Sequence, residues 1–132
     1  MGHALGTVLV VDDARSIREL LHAHLSRAGY RVLLAEDAVE AGNHVVHDAP
    51  DIIILDVQMP YMSGYEFLDA LKSDPDTRHI PVVILSSSPD IAHPAKKLDA
   101  VAYLAKPVLA DRLLEVVALY VSMRRQLLPD EL

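Results

Sequence analysis

Five short apolar runs, TVLVV from Thr7, RVLLA from Arg31, IIIL from Ile52, VVIL from Val82 and VAYLA from Val101, are separated by longer segments, most of them of helical periodicity. Such runs, rich in β-branched residues and lacking polar alternation, fit strands buried on both faces of a parallel sheet. Alternation of strand and helix then dictates helices on both faces, joined by right-handed crossovers. The expected fold class is α/β, a doubly wound five-stranded parallel sheet. A chain of 132 residues, 52% of them hydrophobic, forms one domain with a sizeable core.

Between the runs the punctuation agrees. Ile17, Leu20, Leu21, Leu25 and Ala28 are spaced as on one helix face, and Gly29 is placed to stop it. Ala38, Ala41 and Val45 give a weaker pattern, in which Gly42 costs about 1 kcal/mol relative to alanine, before Pro50 closes it. Ser63 and Glu66 form a capping box, so a helix carrying Tyr65, Leu68 and Leu71 starts at about Gly64. Asp111 to about Leu128 reads as a last helix near ~27 Å long.

Every run but the second ends on a residue able to do phosphate or metal chemistry: Asp12 and Asp13, Asp56, Ser86, and Lys106. Strand ends of a parallel sheet share one edge, where ligand crevices form in open α/β sheets. These residues are therefore expected to converge. Three carboxylates within about 5 Å repel by roughly 3 kcal/mol per pair at an effective dielectric near 20. A hard divalent cation offsets that repulsion, and carboxylates with retained waters suit magnesium; no histidine or cysteine stands at these positions to favour zinc. Metal on two carboxylates leaves an oxygen of the third free as a nucleophile toward phosphorus. Lys106 is placed to pair with Asp56 at rest and with a phosphoryl oxygen afterwards, and Ser86 to donate to another.

Composition excludes other classes. The absence of cysteine removes disulfides, thiolate catalysis and Cys-based zinc sites. A net charge of −7 opposes nucleic-acid binding. No apolar run approaches a membrane span, and Met1 to Val11 lacks the features of a signal peptide, so a cytoplasmic location is expected.

The acidic pair Asp12-Asp13, Asp56 followed by Met59-Pro60 and Gly64, the hydroxyl of Ser86, and Tyr103 with Lys106-Pro107 stand in an order that resembles the receiver domains of two-component response regulators, over about residues 7 to 125. The resemblance implies a flavodoxin-like (βα)5 fold, with residues 1–6 and 129–132 as tails around a receiver domain at 7–128. It implies that Asp56 accepts a phosphoryl group from a phosphohistidine of a sensor kinase or phosphotransfer protein. Asp13, Asp56 and the Gln58 carbonyl would bind magnesium directly, with Asp12 acting partly through water. Ser86 and Tyr103 match a switch pair in which the hydroxyl turns to the phosphoryl group and the ring moves inward. Lys106 matches the phosphate-contacting lysine, and Pro107 is expected to follow a cis peptide bond. Such a protein catalyses only its own phosphorylation and dephosphorylation and hands the signal to a downstream protein. Phosphorylation adds about −1.5 to −2 charge, and switching from mostly off to mostly on takes about 5.5 kcal/mol of differential interaction.

Two segments depart from that pattern. SSPDIAHPAKKLDAVAYLA carries Pro89 and Pro94 and no glycine, so a short or irregular fourth helix is expected. In the last helix, Leu114, Val117, Val121 and Leu128 form one stripe and Val116, Leu119, Met123 and Leu127 another, wider than one core contact requires; a homodimer through this helix is expected. Plainer roles compete: helix capping for Asp12 and Asp13, capping for one of Ser86 to Ser88, half-buried packing for Tyr103, solvation for Lys106 and the scattered histidines. Two other functions remain: an aspartate-nucleophile phosphatase of the haloacid-dehalogenase type, which wants an acid where Gln58 stands, and a binding module that switches without phosphate.

Overall fold

The computed structural model describes residues 4–59, 63–87 and 100–127. Strands β1 (Thr7–Val11), β2 (Arg31–Ala35), β3 (Ile52–Asp56), β4 (Val82–Ser86) and β5 (Ala102–Ala105) form one parallel sheet in the order β2-β1-β3-β4-β5. Helices α1 (Arg15–Arg27), α2 (Ala38–Asp48), α3 (Gly64–Ser73) and α4 (Ala110–Leu127) accompany it. The segment where a short fourth helix was expected, 88–99, lies outside the described residues, as do Met59's neighbour Pro60 and residues 128–132. Leu5 N–H donates to the Gly29 carbonyl and the Gly6 carbonyl accepts from Arg31 N–H, so the chain joins the sheet edge just ahead of β1.

Side chains alternate across the strands, and each face collects its own core. Leu9, Val11, Ile53, Leu55, Val82 and Ile84 pack with Ala41 and Val45 of α2 and Phe67, Leu68 and Leu71 of α3. Val8, Val10, Ile52, Ile54, Val83 and Leu85 pack on the other face with Leu21 and Leu25 of α1 and Leu113, Val116, Val117 and Val121 of α4. The central strands β3 and β4 are buried at every residue, which is why they read as unbroken apolar runs. At about 1.5–3 kcal/mol for each fully buried large aliphatic side chain, this double core is the main stabilising term.

Two helix faces differ from the periodicity. Leu20, expected on the core face of α1, is 40% exposed. On α4 the core face draws on both expected stripes and adds Leu113, whereas Leu114 is only half-buried and Leu119 and Met123 are exposed. The i, i+3, i+4, i+8 spacing of Leu113, Val116, Val117 and Val121 matches the helical turn more closely than either stripe.

Ser63 caps α3 as its box predicts, its hydroxyl accepting from Glu66 N–H. Gly64, next in line, sits against the backbone of Asp56 and Val57: a Cβ there would overlap the Asp56 carbonyl oxygen. Gly64→Ala is therefore expected to destabilise by about 1–3 kcal/mol through forced displacement of the β3 end, measured as a lower urea midpoint. At the end of α2, Ala49 takes the left-handed conformation at φ 44° and ψ 66°, where glycine is the usual residue. Relief of this strain exceeds the extra chain entropy lost, so Ala49→Gly is expected to stabilise by about 0.5–1 kcal/mol in the same assay.

Candidate functional site

The β1, β3 and β4 ends and the turn after β5 meet on one edge, as the parallel topology requires. Asp56 closes β3, in register with Leu85 of β4, and is 1% exposed. Asp12 follows β1, fully buried, and Asp13 is exposed beside it. Each of the three offers a carboxylate oxygen, and these oxygens lie within 4.8 Å of one another. Lys106 reaches in from the turn after β5, its Nζ 3.0 Å from Asp12 Oδ2 and 3.6 Å from Asp56 Oδ2. Lys106 was expected to pair with Asp56; it lies closer to Asp12. Lys106 N–H donates to the Ser86 carbonyl, and the Lys106–Pro107 peptide is cis, as expected.

Local hydrogen bonds orient both buried acids. Asp12 Oδ1 accepts from Ala14 N–H at 2.8 Å, and Asp56 Oδ1 from Gln58 N–H at 2.9 Å. That leaves the two Oδ2 atoms facing Lys106. Asp12 Oδ2 is buried with an ion pair but no aligned hydrogen bond. Burial pushes the Asp56 carboxyl above its ordinary value; Gln58 N–H opposes this, Asp12 adds to it, and Lys106 and Asp13 contribute less. For Lys106 burial acts downward, but contact with Asp12 and the charges of Asp12 and Asp56 outweigh it, so its ammonium is held above the usual range. Three carboxylates against one ammonium, −3 + 1, leave a formal −2 in a pocket of hard oxygen donors. A buried carboxylate oxygen held by an ion pair alone, two acids beside it and no histidine or cysteine among them fit magnesium better than zinc.

Ser86 ends β4, fully buried, and its hydroxyl lies 3.4 Å from Gln58 Oε1, while Ser87 donates to the same oxygen at 3.0 Å. Tyr103 stands apart on β5, 45% exposed, where it lines a surface groove with Pro107, Leu109 and Arg112. Two contributors escaped sequence reasoning. Arg18 of α1 donates to the Asp12 carbonyl at 2.8 Å and approaches Glu36 at 3.9 Å, with only 15% of its side chain exposed. Its spacing of six from Asp12 was the available signal, but an arginine near a helix start carries no mark of its target. Ser87's bond to Gln58 crosses two loops and has no local signature.

A doubly wound sheet with three acids and a lysine gathered at its carboxyl edge defines a flavodoxin-like domain with an acidic, metal-compatible centre. The model of the response regulator receiver domain matches residues 8–118, and the chain belongs to that family, the receiver module of two-component signalling. It is 39% identical over 126 residues to response regulator MprA of Mycobacterium sp. (strain KMS), covering 94% of this chain and 53% of that protein. Against MprA of Mycobacterium avium (strain 104) it is 41% identical over 109 residues, 81% of this chain and 47% of the relative. The chain thus spans about half the length of these curated relatives. Among solved structures, chemotaxis protein CheY4 of Vibrio cholerae superposes with a TM-score of 0.80 at 34% identity, covering 90% of this chain and 99% of that one. A receiver domain of a histidine kinase from Syntrophus aciditrophicus gives 0.83 at 31% identity, with 96% and 98% covered. Receiver domains generally bind magnesium at such an acidic pocket. Among the described residues no helix is long and apolar enough to cross a membrane.

Proposed function

We propose that Asp56 takes a phosphoryl group from a phosphohistidine on a sensor kinase or phosphotransfer protein, in a magnesium-dependent reaction, and that this changes binding to a downstream protein. The observation that carries the proposal is the Asp12–Asp13–Asp56 cluster with Lys106 Nζ between the two buried acids. Asp12, Asp13 and Asp56, with the Gln58 carbonyl, would hold the metal, which screens charge on the transferring group. An oxygen of Asp56 forms the new bond to phosphorus as the bond to the donor nitrogen breaks. Lys106 is within reach to trade a carboxylate for a phosphoryl oxygen, and Ser86 to turn from Gln58 toward another. Tyr103, exposed at rest, would follow by moving inward. The chain works only on itself, turning over no released substrate, and a cytoplasmic location accompanies a kinase partner of this kind. Leu119 and Met123, exposed on α4, favour a homodimer through that helix; sedimentation at high concentration showing only monomer would remove this part.

The test is incubation of the chain with magnesium and acetyl phosphate, followed by intact mass. A gain of one phosphoryl group that disappears with EDTA and in Asp56→Ala supports phosphotransfer; no gain would favour a module that switches without phosphate.

A further inference from the structure

In a parallel strand the two backbone groups of a residue point to the same side and successive residues alternate. Arg31 N–H donates to Gly6 O at 2.9 Å and Ala35 O accepts from Asp12 N–H at 3.1 Å, so residues 31, 33 and 35 face β1. Val32 and Leu34 therefore point outward, and β2 is an edge of the sheet. An edge carbonyl is open to solvent or to another strand unless something covers it. His44 of α2 covers this one, its Nε2 3.1 Å from Leu34 O. The other ring nitrogen, Nδ1, lies 2.9 Å from Asp48 Oδ2, and the second Asp48 oxygen lies 3.3 Å from the Arg31 guanidinium.

Both partners of the ring are acceptors. A carbonyl only accepts, and so does an ionised carboxylate. Asp48 is held ionised: the His44 hydrogen bond, opposed by some desolvation and helped by Arg31, keeps its carboxyl below the ordinary range. Both contacts are hydrogen bonds only when each ring nitrogen carries a proton. A neutral imidazole has one N–H: the Nε2–H form turns a lone pair toward Asp48, and the Nδ1–H form leaves Leu34 O uncovered.

We propose that His44 is a proton-operated cap on the β2 edge. As imidazolium it ties α2 to Leu34 and, through Asp48, to Arg31; on losing a proton it gives up one tie and loosens α2 from the edge strand. The charged groups in contact are Asp48 from its own helix and, across that carboxylate, Arg31 from β2; Glu40 and His47 stand one turn away on α2, and β1, which also packs on α2, contributes only uncharged residues. The inference stands independently of phosphorylation at Asp56.

The experiment is nitrogen-15 NMR of the full chain between about pH 5.5 and 8.5, following the His44 ring and amide exchange at Arg31 and Leu33, whose N–H groups face β1, beside His44→Gln, whose amide offers a donor toward Leu34 O but does not titrate. Both ring nitrogens are expected to be protonated at the acid end and one at the alkaline end. Edge-amide exchange, as the ratio of wild type to His44→Gln at equal pH, is expected to rise about three- to tenfold over the same range. Asp48→Asn provides a second arm, in which the ring loses its second proton at lower pH. A ring whose protonation does not change, a ratio flat with pH, or an unaltered titration in Asp48→Asn would each overturn the proposal.

Discussion

Asparagine in place of Asp56 is expected to abolish phosphoryl uptake and, without metal, to make the folded protein more stable by about 1–2 kcal/mol. The first effect follows from the proposed role as nucleophile: the amide keeps the shape but has no carboxylate oxygen to form the acyl phosphate. The second follows from the pocket. Asp56 is 1% exposed, and burial with the neighbouring charge of Asp12 raises its carboxyl, so the folded state disfavours its charge. The sign of the pH dependence is fixed accordingly. With a folded pKa above the unfolded one, the carboxyl's favourable contribution is complete below the ordinary carboxylate range and is lost as pH rises through that range to the folded value. The neutral amide does not suffer this loss. Urea unfolding in EDTA at neutral pH, with intact mass after acetyl phosphate, checks both halves. Magnesium is expected to stabilise wild type by mass action and to narrow or reverse the gap, because the asparagine variant offers one carboxylate fewer to the cation. Equal stability in EDTA would mean that Lys106 already neutralises the site.

Lys106→Ala is expected to act in the opposite direction, destabilising by about 2–3 kcal/mol, because it leaves Asp12 and Asp56 buried without their cation. Here the group's folded pKa lies above its unfolded one, held there by Asp12 and Asp56 against burial. Its contribution is therefore complete below the ordinary lysine range and lost only as pH rises beyond it, in strongly alkaline solution. Wild type and Lys106→Ala should differ by a constant amount from neutral pH up to that range and converge above it. Magnesium should recover part of the loss in the variant, since a divalent cation screens the same carboxylates. The variant should also take up phosphate more slowly, by a factor read from the time course of the mass gain. A Lys106→Ala protein as stable as wild type in EDTA would show that water screens the two acids by itself.

The fold was legible because each buried strand spells itself as an apolar run and each crossover as a 3.6-residue pattern, and the parallel sheet followed from their alternation. The strands end where expected, β3 at Asp56 and β4 at Ser86, and only β5 differs, beginning one residue later, at Ala102. Helix faces were less legible, since Leu20 and Leu113 both fit an apolar stripe and only the packing partner decides which is covered. At the site, the identities and convergence of Asp12, Asp13, Asp56 and Lys106 were legible from strand ends alone. Their pairing was not: Lys106 sits nearer Asp12 than Asp56, and Arg18 and Ser87 enter through contacts between elements with no local pattern.

What the sequence by itself determined is the set of elements, their parallel arrangement, and the chemistry available at one edge, because these depend on local periodicity and on where each strand stops. Only the tertiary structure decided which acid holds the lysine, which hydroxyls Gln58 gathers, and that His44 covers the outer carbonyl of Leu34. Those are distances between residues from 10 to 94 positions apart, set to a few tenths of an ångström by how the helices seat on the sheet. Hydrogen bonds and ion pairs respond to distance on that scale, and sequence periodicity does not.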